Sequence, residues 1–282
     1  MDSVLVIGAS SFIIREHLPE IARDSRLTLT SRKPWDAAHT PDASRTHWMR
    51  LDMPGTDAAA DYLASQRFDR VYVTPPLWLI EPLLSRLPDP ETTRAVVLSS
   101  NNAALLADNP DYAKLREAED RVMHSLLDVV ILQPTIISGR PTDPLLGRML
   151  AQARAGRTLH LPGRHTRQWP LHFRDLGRAM VRAGQRDIPK GRYSVAGPEA
   201  VTNAEMVERV GQASGKLPEA RFLPATPMRW LGNALPVLPN APALRRAGVH
   251  RDPVNPPLPG FTPRHGVAGI LDTLTRYPAL PS

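Results

Sequence analysis

Cysteine is absent from the 282 residues of this chain. Its absence excludes disulfides, thiolate metal sites and a cysteine nucleophile, but it does not identify a compartment. The chain also lacks an apolar run near the roughly 20 residues that a membrane helix needs. Its first residues lack the basic region and the long apolar stretch of a signal peptide. We therefore expect a soluble, cytoplasmic protein with no membrane partner.

Acidic residues are outnumbered, 28 against 35 basic ones, which leaves a net charge of +7 and a pI near 10.2. Such a balance is found in proteins that bind nucleic acid or another polyanion. Here, however, the basic residues are nearly all arginine and are spread along the chain, without a basic tail. We expect a solvated arginine-rich surface rather than a nucleic-acid site, with part of the charge serving an anionic cofactor. The histidines are dispersed, so no metal site is expected.

Strand-like and helix-like segments alternate through the first half. Short apolar, β-branched runs are typical of strands that are covered on both faces. Six strands are predicted, at residues 4–7, 27–30, 48–51, 71–73, 95–98 and 129–132. Helices are predicted at residues 12–22, 58–65 and 110–127. This alternation predicts right-handed crossovers and an α/β fold with a Rossmann-type, doubly wound parallel sheet.

The second half is mixed in pattern. We divide the chain into a dinucleotide-binding core at residues 1–140 and a segment at 141–282 that completes the core and forms a small substrate lobe. Asp175 is interpreted as a helix cap, and Thr202 with Glu205 as a capping box. Apolar spacing predicts a last helix that carries Val267, Ile270, Leu271 and Leu274. Dense prolines predict irregular, extended chain from residue 224 to 263.

The turn after the first strand is the candidate phosphate loop. In a dinucleotide fold, such a turn directs backbone N–H groups and a helix N-terminus at the pyrophosphate. The predicted cofactor contacts are Gly8, Ser10, Ser11, Phe12 and Ile13. An ordinary β–α turn without a ligand is the alternative.

The second strand ends at Ser31-Arg32-Lys33. An acidic side chain at this position accepts from the ribose of NAD, whereas a basic pair suits the 2′-phosphate of NADP. The three residues therefore predict NADP as the cofactor. An exposed surface charge is the alternative for each of them.

The order of the motifs resembles that of the extended and atypical short-chain dehydrogenases/reductases, a group that contains sugar-nucleotide epimerases and NmrA-like proteins. The resemblance covers nearly the whole chain. It is carried by Val97–Ser100, Pro110–Tyr112, Gln133–Gly139, His172–Leu176, Val195–Pro198 and Gly260–Pro263. It implies that Ser100, Tyr112 and Arg116 are catalytic. It also implies further cofactor contacts at Asp52, Thr74 and Pro134, and a homodimer.

Two motifs of that family are altered in this chain, and Gln133 replaces the usual arginine of a third segment. Of the glycines in its G-x-x-G-x-x-G loop only Gly8 is present, with Ser11 and Ile14 at the other two places. In its Y-x-x-x-K motif, Arg116 replaces the lysine that lies four residues after the tyrosine, on the same helical face. A guanidinium stays charged near neutral pH, so it can assist electrostatically but cannot relay a proton.

Three functions remain open on this evidence. The first is an NADP(H)-dependent oxidoreductase or epimerase-like enzyme that acts on a small carbonyl or hydroxyl substrate, with Tyr112 as general acid/base and Ser100 binding the substrate oxygen. The second is a redox-silent, dinucleotide-binding sensor of the NmrA type. The third is a non-redox enzyme on the same fold.

Overall fold

A computed structural model describes residues 1–32, 35, 40–52, 58–106, 109–140 and 142–277. Its contacts divide the chain into two compact units. The first unit is built from Met1–Pro134, Arg174–Val195 and Val254–Phe261. The second is built from Thr135–Phe173, Ala196–Pro253 and Thr262–Ser282. Among the described residues, no helix is both long and apolar enough to span a membrane.

The described residues contain 13 strands and 11 α-helices. The strands are β1 Asp2–Ile7, β2 Ser25–Ser31, β3 Thr46–Arg50, β4 Arg70–Val73, β5 Arg94–Leu98, β6 Asp128–Pro134, β7 Ile136–Ser138, β8 Leu159–Pro162, β9 Arg167–Gln168, β10 Pro170–His172, β11 Gly191–Val195, β12 Val201–Thr202 and β13 Ala220–Leu223. The helices are α1 Leu18–Ala22, α2 Ala58–Ser65, α3 Leu77–Leu84, α4 Asn101–Leu105, α5 Ala113–His124, α6 Leu146–Arg154, α7 Phe173–Ala183, α8 Asn203–Ser214, α9 Ala225–Ala234, α10 Ala241–Arg245 and α11 Val267–Thr275.

The first unit is organised around a seven-stranded parallel sheet in the order β11-β6-β5-β4-β1-β2-β3. Its central strands are apolar on both faces: Val71, Tyr72 and Val73 of β4 are all fully buried. Such strands need helices on both sides, and the crossovers supply them. The strand order reverses between β1 and β4. The predicted Rossmann-type α/β fold is confirmed.

The connection after β1 differs from the prediction. The helix predicted for residues 12–22 is instead a 3-10 turn at Arg15–His17 followed by the five-residue helix α1. Pro19 lies in the first turn of α1, the position where its missing N–H is tolerated. Before it, the chain makes successive turns, with Ser11 N–H donating to Gly8 O and Arg15 N–H to Ser11 O. The prediction of one long helix here was wrong.

Helix α5 is shorter than the predicted 110–127, because Pro110–Tyr112 forms a 3-10 turn before it. The turn is capped by Asn109, whose side chain accepts from Asp111 N–H. One face of α5 is buried in the core of the sheet through Leu115, Ala118 and Val122. The helix therefore carries its remaining residues at defined positions beside the sheet.

The second unit contains three two-stranded sheets: β7 with β10, β9 with β12, and β8 with β13. Its core lies among α6, α8 and α11. The capping box at Thr202 and Glu205 is confirmed at the start of α8. Helix α11 carries Val267, Ile270, Leu271 and Leu274 as predicted, and all four are buried. The proline-rich region is less irregular than predicted, because it contains α9 and α10.

Asp175 is not a helix cap. Helix α7 begins two residues earlier, at Phe173, so Asp175 lies within its first turn. The carboxylate is fully buried and accepts from Arg178 Nη1 at 2.9 Å. Near an N-terminus, an acidic residue in the first turn is favourable without capping. The division into 1–140 and 141–282 stays a prediction about domain organisation.

Candidate active site

The candidate site lies at the carboxyl edge of the seven-stranded sheet. Gly8 follows β1, Thr74 follows β4, Ser100 follows β5 and Pro134 ends β6. In open α/β sheets, ligands bind at this edge, where the strand order reverses. The parallel topology therefore brings these four predicted site residues to one side of the first unit.

Gly8 is required by the protein's own packing. Its φ is +79°, and a Cβ there would lie 2.4 Å from Thr74 Oγ1 and 2.9 Å from Pro75 Cδ. The Thr74 hydroxyl donates to Gly8 O at 2.9 Å, which ties the end of β4 to the end of β1. The loop thus keeps its first glycine for backbone conformation and for contact with the β4 turn.

Most amides of the loop are satisfied internally. Gly8 N–H and Ala9 N–H both donate to Thr30 O, at 3.0 and 2.9 Å. Ile13 N–H makes a long contact of 3.4 Å with Ser11 Oγ. The exposed Ser10 has no hydrogen bond within the part of the chain that the structure describes. The turn therefore offers few backbone N–H groups, and its hydroxyls are the more accessible donors.

Ile14, at the place of the third glycine, is fully buried. Close packing in this region instead depends on Gly177 of α7. A Cβ on Gly177 would lie 2.2 Å from His17 Cδ2 and 2.3 Å from Ile13 O. Because the glycine is on the facing helix, the short β1–α1 connection packs closely although its own glycine is missing.

Only some of the residues that were predicted to bind the adenosine half of the cofactor have side chains free to contact a ligand. Ser31 is buried and accepts from Trp48 Nε1 at 3.1 Å. Asp52 forms an ion pair with Arg50 at 2.7 Å. Arg32 is exposed, and it makes no ion pair to any residue that the structure describes. Lys33 lies outside the described residues.

The chemistry of the remaining donors fits a dinucleotide's phosphates. Arg15 and Arg32 are both exposed. Arg15 follows the Gly8 loop and Arg32 follows β2, and these two segments are joined by the hydrogen bonds from Gly8 N–H and Ala9 N–H to Thr30 O. The exposed Ser10 and the partly exposed Ser11 add hydroxyls between them. Guanidinium and hydroxyl groups bind phosphate oxygens well. This set of residues suits a diphosphate that is bound by charged and hydroxyl side chains, and not by the backbone amides of a glycine-rich loop.

Asn102 joins the two predicted catalytic residues. Ser100 caps α4, and its hydroxyl accepts from Asn102 N–H at 3.2 Å. The amide of the same Asn102 donates through Nδ2 to the phenol oxygen of Tyr112 at 2.8 Å. Sequence reasoning missed Asn102; its signal was the Ser-Asn-Asn run directly after a strand, which is typical of an N-cap.

Arg116 is directed at the turn that precedes Tyr112. Its Nη1 donates to the carbonyl oxygens of Leu106 and Asn109, at 3.2 and 3.3 Å. The guanidinium therefore holds the backbone on which Tyr112 is placed. These two contacts explain the presence of an arginine at this position without a contact to any cofactor.

A buried polar cluster, also missed by the sequence analysis, anchors α5 to three strands. The carboxylate of Glu119 is almost fully buried. It accepts from the Ser99 hydroxyl, from Gln133 Nε2 at 3.0 Å to each oxygen, and from Arg192 Nε at 3.1 Å. Ser99 directly follows β5, whereas Gln133 lies in β6 and Arg192 in β11. Helix α5, which follows Tyr112, is therefore fixed against all three strands.

The same cluster holds the segment Val254–Phe261 at this edge. Asn255 Nδ2 donates to Gln133 Oε1, and Asn255 N–H donates to Ser194 Oγ at 3.0 Å. The side chain of Asn101 accepts from Val254 N–H at 3.2 Å. Polar groups buried at the carboxyl edge are thus satisfied by the protein itself, as buried polar groups generally are.

Solved structures of the same fold include proteins in complex with NAD. MoeE5 in complex with UDP-glucuronic acid and NAD is 21% identical, with 97% of this chain and 99% of that chain covered and a TM-score of 0.67. The UDP-glucuronic acid 4-epimerase of Bacillus cereus, in complex with UDP-glucuronic acid and NAD, is 16% identical, with 97% and 99% covered and a TM-score of 0.66. The dTDP-glucose 4,6-dehydratase of Bacillus anthracis, in complex with NAD, is 12% identical, with 98% and 96% covered and a TM-score of 0.69.

Neither a protein-family model nor a curated protein sequence matches the chain. At these identities the solved structures establish the fold, over almost its whole length, and not the activity. The predicted resemblance is therefore confirmed as a likeness of fold. The function has to be argued from the side chains of the site.

Proposed function

We propose that this chain is a nicotinamide-dinucleotide-dependent oxidoreductase or epimerase-like enzyme that acts on a carbonyl or hydroxyl group. The supporting observation is the connected set Ser100, Asn102 and Tyr112 at the carboxyl edge. A hydroxyl, an amide and a phenol stand there beside the point at which a dinucleotide binds in this fold.

In this proposal, Ser10, Ser11, Arg15 and Arg32 hold the cofactor's phosphates. The three solved structures above contain NAD, whereas the preference for NADP proposed here comes from Arg32 at the end of β2. Thr74, after β4, and Pro134, at the end of β6, are assigned to the nicotinamide half of the cofactor. A bound nicotinamide ring supplies hydride transfer, and the protein supplies position and proton transfer.

Tyr112 exchanges a proton with the substrate oxygen. The side-chain amide of Asn102 donates through Nδ2 to the phenol oxygen, which orients the hydroxyl and leaves its own proton for the substrate oxygen. The Ser100 oxygen accepts from Asn102 N–H, which leaves its own proton for the substrate oxygen. Arg116 fixes the turn before Tyr112 and adds positive charge one helical turn away. The guanidinium does not relay the proton.

Titration of the purified protein with NADPH and with NADH tests the cofactor step, and turnover on small carbonyl compounds and on UDP-hexoses tests the chemistry. The variant Tyr112→Phe removes the proton donor and should lower kcat by roughly 10²–10⁴-fold without weakening NADPH binding. Tyr62→Phe, at an exposed tyrosine of α2, is the matched control and should leave kcat unchanged. Turnover that survives in Tyr112→Phe contradicts the proposed role.

A dinucleotide-binding sensor without redox activity is the second candidate. It is favoured by the contacts of Arg116 with two backbone carbonyls and by the internally bonded amides of the Gly8 loop. NADPH binding with no turnover on any substrate of the panel would support it. A third outcome, binding of neither nucleotide, would support a non-redox enzyme. Homodimer formation stays a prediction, which light scattering can check.

A further inference from the structure

Helices α9 and α10 form a braced hairpin in the second unit. They cross closely at Gly232, where a Cβ would lie 2.8 Å from Arg245 N. Arg245 Nη1 donates to Gly232 O, and Arg229 Nη1 donates to Ala247 O, both at 3.2 Å. These reciprocal contacts give the hairpin a defined shape, so the side chains on its outer face are held in place rather than left on a loose loop.

The outer face of α9 is apolar and exposed. Pro227, Trp230, Leu231 and Ala234 follow the i, i+3, i+4, i+7 spacing of one helical face, and all four are exposed. Leu235 and Val237, which follow the helix in the chain, are exposed as well. Trp230 is 70% exposed and Val237 is 87% exposed. Soluble proteins seldom leave such a contiguous apolar patch without a binding partner.

Charge identifies the class of partner. From Arg221 to Arg251 the chain contains five arginines and no aspartate or glutamate; Arg221 forms an ion pair with Glu219, which leaves four arginines to give the region its positive charge. Two copies joined through this face would oppose like charges, because an isologous contact pairs the same patch with itself. The face therefore suits an anionic partner. Tryptophan and aliphatic residues on one face, with arginines around them, are the composition of helices that lie in the interface of an anionic bilayer.

We infer that the α9–α10 hairpin is a docking surface for anionic lipid bilayers. Trp230, Leu231, Leu235 and Val237 enter the boundary between headgroups and acyl chains, while the arginines of the hairpin attract lipid phosphates. With 10 residues, α9 lies along the surface and does not cross the bilayer. The inference therefore departs from the expectation of no membrane partner, which rested on the lack of a membrane-spanning run. The inference does not depend on the proposed enzymatic function, because none of these residues belongs to the carboxyl-edge site.

Co-sedimentation of the full-length protein with vesicles tests the inference. Two vesicle types are compared: phosphatidylcholine alone, and phosphatidylcholine mixed with phosphatidylglycerol. Binding should require the anionic lipid and weaken as salt is raised, since the Debye length shortens. Replacing two exposed apolar residues, in Trp230→Ser with Val237→Ser, should weaken binding about tenfold or more. Because both side chains are exposed, the double variant should keep the wild-type melting temperature.

The matched control replaces two exposed leucines outside the hairpin, in Leu126→Ser with Leu217→Ser; their exposures are 67% and 63%. It should bind anionic vesicles like the wild type. Four results would overturn the inference: no binding to anionic vesicles, equal binding to both vesicle types, equal loss in both double variants, or a patch variant that changes only self-association. The last result would assign the face to a second copy of the chain.

Discussion

The buried carboxylate of Glu119 offers the sharpest test of how the site is held. Glu119→Gln keeps the size of the side chain but removes its charge and one accepting oxygen. Ser99, Gln133 and Arg192 then compete for a single acceptor. Removing one partner of a buried ion pair costs about 3–5 kcal/mol. Arg192 keeps Asp120 at 2.5 Å, and its side chain is 29% exposed, which reduces the expected loss to about 2 kcal/mol.

Urea unfolding, followed by circular dichroism, measures this loss as a lower midpoint at unchanged slope. The control is Glu117→Gln on the exposed side of the same helix, which should change the free energy of unfolding by less than about 0.5 kcal/mol. A double-mutant cycle with Arg192→Gln should show a coupling of about 1–3 kcal/mol. Equal midpoints for the two glutamate variants would refute the view that Glu119 anchors α5 to the sheet.

Two further predictions concern the backbone of the Gly8 loop and an ion pair of the second unit. Gly8→Ala should destabilise the protein by about 1–2 kcal/mol from its left-handed φ and by about 1–3 kcal/mol more from the contact with Thr74. Gly156→Ala shares the positive φ but meets nothing within 4 Å, so equal melting temperatures would contradict the packing argument. Hydrogen bonding from Arg167 is the main cause that lowers the pKa of Asp252. A lowered folded-state pKa stabilises the protein at neutral pH, and this contribution disappears as pH falls through that pKa. Asp252→Asn should therefore melt below the wild type at neutral pH, and the gap should close in acid; a gap that widens in acid would contradict the assignment.

The sheet could be predicted from the sequence because its strands are short, apolar and β-branched. The segment 95–98, for example, is observed as β5, Arg94–Leu98. A short, continuous apolar run of this kind is typical of a strand that is buried on both faces of a parallel sheet. The prediction of a helix directly after β1 was wrong for a local reason. Successive turns follow Gly8, and α1 begins only at Leu18, with Pro19 in its first turn. The two helices of the proline-rich region were missed because their prolines stand in first turns or on an exposed face, where a proline is tolerated.

The site could be located from the sequence, but its contacts could not. Ser100 and Tyr112 lie at the predicted edge, because parallel strands end together. The direction of Arg116 toward the carbonyl oxygens of Leu106 and Asn109 could not be predicted, because no pattern in the sequence specifies which backbone groups a guanidinium contacts. Glu119 shows no sign of burial in the sequence, because its partners come from three distant strands. Long-range side-chain pairing of this kind is visible only in three dimensions.

The first unit is assembled from three separate stretches of chain, and the last of them is Val254–Phe261. That stretch joins β11 through the amide of Ser194, which donates to Pro256 O at 3.0 Å. The seven strands of the sheet are all present once β11 ends at Val195, but during synthesis the ribosome must deliver the chain up to Phe261 before the outer edge of β11 is covered by this stretch. A nascent chain stalled near residue 200 would expose an incomplete edge to chaperones, and neither half of the gene should yield a folded product by itself.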